Sequence, residues 1–195
     1  MLLQESRRYP ETFVDRILPL YQREHKMGGS AQIDARALAD LVLGDLEIKA
    51  GQRALCEAYS QIARCYSLRF DAIPNRRDDQ GKPQFVAHGA EIAPLFQNFD
   101  GMGWEPGHNP FSKASESYYD MARTLGLLWA SFITHSDPNT GRKGAEDQVM
   151  WLGYSVDRPV NLVLNESGVP WVEPDTYRAE AIKVINEVQH SILDK

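Results

Sequence analysis

Among the residues of this chain that could move protons or attack an electrophile are five histidines, two cysteines and the serines. One histidine stands apart. His88 lies in FVAHGAEIAPLF, residues 85–96, directly before Gly89 and three positions before Glu91. An unperturbed imidazole titrates near neutral pH and can both take and return a proton. A general base works best on a loop held by a rigid scaffold, with its ring free to reach a neighbour. His88 has that setting, because a polar loop precedes it and a turn glycine follows. Context alone leaves two readings open, a catalytic base and an ordinary histidine at a loop-to-helix junction. The other four carry structural readings. His25 sits between Glu24 and Lys26 and reads as solvated, and His108 falls in a Gly/Pro-rich loop. His135 ends a helical stretch, where the helix dipole favours a cation. His190 belongs to the exposed face of the last helix. Cys56 and Cys65 are too widely spaced for a CxxC motif and have no histidine cluster beside them. No metal site is expected, and they read as buried thiols, with a disulfide left open.

The elements that must hold His88 can be read from periodicity. Residues 1–33 show little, and contain a Met-Gly-Gly-Ser turn at 27–30. Asp34 reads as an N-cap, with Leu38, Leu41 and Val42 on one helical face. Gly44–Glu47 interrupts, and a second helix follows with Leu55, Ala58, Tyr59 and Ile62 at helical spacing. Tyr66, Leu68 and Phe70 then alternate with Ser67 and Arg69, the period of a strand. Residues 73–83 form a polar loop, residues 90–96 can start a short helix, and residues 99–111 form a second loop. Residues 115–135 make the longest helix, with an apolar stripe of Tyr118, Ala122, Leu125, Trp129, Phe132 and Ile133. A short strand is expected over 160–166. A final helix, capped by Asp175, carries Ala181, Ile182, Ile185, Val188 and Ile192 on one face. That is about four helices and only one or two strands. A lone strand cannot satisfy its own ladder. Either the two strands pair, or their partners lie outside this chain.

Length and charge narrow the function classes. A chain of 195 residues suits one domain or part of a larger one. Its 43% apolar and 25% charged residues are ordinary for a soluble globular protein. The net charge of −6 argues against a nucleic-acid or anionic-membrane surface, because both demand clustered Lys and Arg. The pairs Arg7-Arg8 and Arg76-Arg77 read as solvated loop charges. No apolar run reaches the roughly 18 residues that a membrane-spanning helix needs. No signal peptide is readable at the N-terminus, so localisation stays open. Asn165 opens a weak N-glycosylation pattern that matters only in a secreted protein. No cofactor is expected.

Several blocks, taken in order, carry a resemblance. FVAHGAEIAPLFQN (85–98) resembles the histidine segment of the type-B carboxylesterases, the α/β-hydrolase family that includes cholinesterases and fungal lipases. LVLGDLEI (41–48) is similar to that family's Gly-Asp segment, and YSLRFD (66–71) to the strand before its histidine loop. ARTLGLLWASFITHSDPN (122–139) resembles its long helix with a Trp-x-x-Phe core and a Pro-Asn end. WLGYSVDRPVNLVLNE (151–166) resembles its late strand region, and EPDTYRAEAI (173–182) the terminal segment of fungal members. The match is clearest from about residue 20 to residue 195. The resemblance implies an α/β fold: the C-terminal part of an α/β-hydrolase, rich in helix, with only the last one or two strands of the sheet. Residues 1–195 would then be a single partial domain. It implies that His88 is the triad histidine, taking a serine proton during attack on an ester carbonyl and then protonating the leaving alcohol. Gly89 and Glu91 match the positions that follow, in supporting roles. Glu91 is equally well explained by the dipole of the helix it precedes. A carboxylic ester or acylglycerol substrate is implied, and family members are often secreted.

The same family needs a Gly-x-Ser-x-Gly elbow for its nucleophile. GGSAQ around Ser30 and GYSVD around Ser155 each lack the last glycine, and no other serine comes closer. A triad acid in a DEG-like segment and a glycine-rich oxyanion loop are missing as well. A triad without its nucleophile retains little chemistry, so this chain alone is expected to hydrolyse esters poorly or not at all. The alternative is a non-catalytic cholinesterase-like protein that works by binding. Either way, the strand around 66–70 is expected to expose an unpaired edge that another chain could pair with.

Overall fold

The computed structural model describes residues 9–10, 12–27, 35–73, 86, 88–105, 109–140 and 149–193. These fall into two compact units, one built from residues 1–63 with 175–195 and the other from residues 64–174. The expected caps and loops at Asp34, residues 74–83 and Arg7-Arg8 lie outside the described residues.

The first unit is helical. α1 (Thr12–Met27) forms where the sequence showed little periodicity. Its signal is a sparse one: Phe13, Ile17 and Tyr21, four residues apart, are all buried on one face. Pro19 removes one N–H from the ladder, which weakened the pattern. α2 (Ala35–Gly44) and α3 (Ala50–Tyr59) are joined by one π-helical stretch, Asp45–Lys49. The Gly-Asp segment therefore widens the helix instead of interrupting it. Gly44 keeps ordinary right-handed angles, φ −60° and ψ −37°. Asp45 is fully buried in the π turn. The stripe of Leu55, Tyr59 and Ile62 faces outward, and α3 buries Ala50 and Cys56 instead. α6 (Ala179–Leu193) closes the chain and buries Ala181, Ile182, Ile185 and Val188 against α1 and the π turn.

Asp175 does not cap that last helix. Its carboxylate takes a bidentate contact from Arg53, at 2.8 and 2.6 Å. The helix starts four residues later, after Arg178 at φ 50°. Arg178 Nε and Nη2 donate to the two Asp45 oxygens at 2.5 and 2.7 Å, and the Tyr21 hydroxyl donates to Asp45 Oδ2 at 2.6 Å. Tyr177 stacks over the guanidinium at 3.9 Å. Burial alone would lower the Arg178 pKa, but hydrogen bonding to Asp45 and its negative charge outweigh that and raise it.

The second unit carries the sheet: β1 (Leu68–Phe70), β2 (Val160–Leu164) and β3 (Trp171–Pro174), in the order β1-β2-β3. β1 and β2 are parallel, with Leu68 opposite Leu162 and Phe70 opposite Leu164. β2 and β3 are antiparallel, with Val163 opposite Trp171. The two expected strands thus pair with each other. The third was missed because it is four residues long and ends in proline. Parallel strands need a long crossover, and the segment between β1 and β2 contains α4 (Ile92–Leu95) and α5 (Glu116–His135).

α5 begins where the sequence placed it. Ser115 caps it by accepting from the Tyr118 N–H at 3.3 Å, and Ser136, at φ 55°, ends it in the left-handed region. Tyr118, Met121, Ala122, Leu125 and Leu128 are buried. Trp129, Phe132 and Ile133 are exposed, so the predicted stripe leaves the core after two turns. The core joins these α5 residues to Ala72, Ala93, Phe111, Trp151, Leu162 and Leu164. Trp151 is fixed by its indole N–H, which donates to the Ser67 carbonyl at 2.9 Å. Both cysteines are thiols, Cys56 buried and Cys65 half-buried.

Candidate functional site

The parallel pairing of β1 and β2 sets their carboxyl ends side by side. In open α/β sheets ligands bind beyond such ends. The chain leaves β1 along β2 for three more residues. The Asp71 N–H donates to the Leu164 carbonyl at 2.7 Å, and the Ile73 N–H to Glu166 Oε2 at 3.3 Å. Residues 74–85 and 87 are not among the described residues, and His88 follows, solvent-exposed in a turn.

That turn explains its sequence. Gly89 has φ +78°, a conformation that costs a side chain dearly. Its carbonyl accepts from the Ile92 N–H at 3.1 Å, which starts α4. Ala93 and Pro94 are buried, and Leu95 packs against the α5 cluster. α4 and the residues just after it pack against α5 near Gly126. A Cβ there would stand 2.6 Å from Gln97 Nε2 and 3.4 Å from the Leu95 carbonyl oxygen. The imidazole is therefore accessible while the residues just after it are anchored.

Glu91 is half-buried and directly precedes α4. Its side chain makes no capping hydrogen bond, and its backbone carbonyl accepts from the Leu95 N–H at 2.8 Å. The structure thus places His88, Gly89 and Glu91 in one turn. Among the described residues nothing hydrogen-bonds the His88 ring. The remaining histidines do not join it. His135 and His190 are exposed in the last turns of α5 and α6, each with Nδ1 turned back to its own helix, on Ser131 O at 3.2 Å and Asn186 O at 2.8 Å. His108 and the His25 side chain lie outside the described residues. Ser155 sits in a tight turn with Arg158, whose N–H donates to Ser155 Oγ at 3.1 Å, an arrangement unlike a nucleophile elbow. Ser30 lies outside the described residues.

The sequence reading missed Ser117 and Glu166 near the carboxyl edge, and saw in Tyr118 only a member of the α5 apolar stripe. Ser117 Oγ donates to the Glu166 carbonyl at 2.8 Å. Tyr118 is 1% exposed, and its hydroxyl has no hydrogen-bond partner among the described residues. Burial first, and then the negative charge of Glu166, pushes its pKa up to about 12. The available signal was the Asn165–Gly168 turn, whose Asn165 side chain accepts from both the N–H and the Oγ of Ser167 at 3.1 and 2.6 Å. Beneath the edge, Arg69 bridges Asp71 at 2.9 Å and Glu173 at 2.7 Å, which locks β1 to β3 across β2. No group of side chains suited to hold a metal ion occurs among the described residues, and no described helix is long and apolar enough to cross a membrane.

No protein-family model and no curated protein matches the sequence. Solved structures do match. A PNB esterase aligns over 89% of this chain with a TM-score of 0.63 and 17% identity. A thermophilic PNB esterase aligns over 93% with a TM-score of 0.61 and 19% identity. The carboxylesterase of Geobacillus stearothermophilus at pH 6.2 aligns over 89% with a TM-score of 0.60 and 19% identity. The chain spans about a third of the length of these esterases: 31%, 33% and 32%. At such identities the likeness is one of fold. The helix-rich architecture, the small three-stranded sheet and these matches together make the chain a partial α/β-hydrolase fold of the kind found in carboxylesterases.

Proposed function

We propose that this chain is the C-terminal, histidine-bearing portion of a carboxylic ester hydrolase, with His88 as its general base. The observation that carries the reading is the carboxylesterase fold, matched over 89–93% of the chain, combined with an exposed histidine held in a turn downstream of β1. In this role the His88 imidazole takes the proton from a serine hydroxyl as that oxygen attacks the ester carbonyl. It then returns the proton to the departing alkoxide, and the cycle repeats with water. Gly89 supports the base by shaping its turn. Glu91 supports it as a neighbouring carboxylate at the start of α4. The serine, the triad acid and the oxyanion donors must come from outside these 195 residues, as one continuation of the same partial domain or as a second chain. β1 has a strand on one side only among the described residues, so its other edge is where that complement would extend the sheet.

The test is hydrolysis of p-nitrophenyl butyrate. The purified chain should give background rates. Joined to the serine-bearing polypeptide of its own source, it should turn the ester over, and His88→Ala should cut kcat by about a thousandfold or more. One observation favours a second reading, a non-catalytic binding protein: no serine of the chain stands in Gly-x-Ser-x-Gly. That reading predicts background rates even when every polypeptide that binds the chain is supplied.

A further inference from the structure

α5 carries one apolar face along its whole length, and only the first half of that face is covered. Tyr118, Ala122, Leu125, Trp129, Phe132 and Ile133 recur at the three- and four-residue steps that keep side chains on one side of a helix. The first three are buried with Ala72, Leu162 and Leu164. The last three are 40%, 40% and 74% exposed. Between Arg123 and His135 the helix has no charged residue. A helix side that faces water in this protein looks different: the exposed positions of α6 include Lys183, Glu187 and His190. Length explains where the cover stops. The 20 residues of α5 span about 30 Å. The three residues of β1 span about 10 Å and the five of β2 about 17 Å. The end that outruns the strands is still held in place. Phe132 meets Tyr66, two residues before β1, edge-on with centroids 5.8 Å apart, and Arg64 bridges Asp137 at 3.1 Å. The uncovered face therefore stands beside the amino end of β1, whose second edge has no strand among the described residues.

We infer that Trp129, Phe132 and Ile133 form a docking surface for the serine-bearing remainder of the esterase fold, continuous with the open edge of β1. The inference rests on the reading of this chain as part of an ester hydrolase. Two observations select that occupant. The chain spans only 31–33% of the length of the esterases it matches, so most of such a fold lies outside it. The stripe also prolongs a face that is already core, without a charge along it, so its cover is the continuation of the same packed layer. The remainder meets it with an apolar, uncharged face while one of its strands pairs with β1.

Hydroxyl-radical footprinting of the full chain reads this surface directly. In the chain alone, Trp129, Phe132 and Ile133 should be labelled at rates that do not change with protein concentration. With the serine-bearing polypeptide of its source added, labelling of Trp129 and Phe132 should fall about five-fold, as 40% exposure gives way to burial. Ile133→Lys changes a water-exposed position and should leave the thermal midpoint of the chain within about 2 °C. It should weaken the complex at least about tenfold, because it sets an unpaired charge in an apolar contact. Ile133→Val should bind like the wild type. Protection that grows with the concentration of the chain alone would assign the surface to a second copy and overturn the inference. So would the absence of a complex, unchanged labelling within it, or wild-type affinity in Ile133→Lys. A complex that protects the stripe but hydrolyses no p-nitrophenyl butyrate would sink the base reading and leave the docking standing. Turnover that needs His88 while the stripe stays labelled would do the reverse.

Discussion

Tyr118→Phe should make this protein more resistant to alkali. The ring is buried at the start of α5, edge-on to Phe111 with centroids 5.2 Å apart, and phenylalanine keeps that packing. What changes is a hydroxyl with no partner among the described residues and a pKa of about 12 in place of 10.0. The unfolded chain releases this proton two units earlier than the folded one. The stability of the wild-type chain relative to the variant is therefore constant below about pH 10 and falls as the pH rises through about 12. Half-way, at pH 11, the wild-type chain should have lost about 1.4 kcal/mol relative to the variant, and well above pH 12 about 2.7 kcal/mol. At pH 7 the variant should be more stable by about 1 kcal/mol, because a buried polar group left unpaired is costly. Urea denaturation of both proteins between pH 7 and pH 11.5 measures the difference directly. Other tyrosines and lysines titrate in both chains and cancel in it. A gap that stays flat with pH would refute the burial argument. A variant less stable at pH 7 by more than about 1 kcal/mol would show that the hydroxyl has a strong partner.

Other perturbations follow from the same geometry. Asp45→Ala strips the buried Arg178 guanidinium of its counter-charge and Tyr21 of an acceptor, and should cost about 3–5 kcal/mol in urea denaturation. Gly168→Ala puts a Cβ 2.8 Å from the Ser117 carbonyl at a positive φ, and should cost about 1–3 kcal/mol. His88→Ala, at an exposed turn position, should move the thermal midpoint by no more than about 2 °C, which keeps its effect on hydrolysis separable from folding.

The parts legible in the sequence were those with strong local signals. α5 has a serine cap, twenty residues of helical pattern and a clear stop, and it appeared within a residue of its expected place. β2 is a short, mostly apolar run between turns, broken only by Asn161, and it too was found. α1 was lost because three buried residues spread over three turns, with a proline among them, make a weak pattern. The π turn escaped notice because a Gly-Asp pair ordinarily signals a break. Here Asp45 is instead drawn inward by Arg178, 133 residues away. Long-range partners of this kind leave no local periodicity. The site followed the same rule. The His88–Gly89 turn was readable because a glycine at positive φ is a local demand. The meeting of Ser117 and Glu166 was not, since they come together only once the β2–β3 turn is brought to the head of α5. The outward turn of Trp129, Phe132 and Ile133 shows that helical spacing identifies an apolar face without saying what covers it.

The most direct test of the account is p-nitrophenyl butyrate hydrolysis, measured on the chain alone and on the chain joined to the serine-bearing polypeptide of its source. The account predicts background from the chain alone and turnover in the joined protein that His88→Ala abolishes. Turnover by the chain alone, or joined turnover that survives His88→Ala, would contradict it.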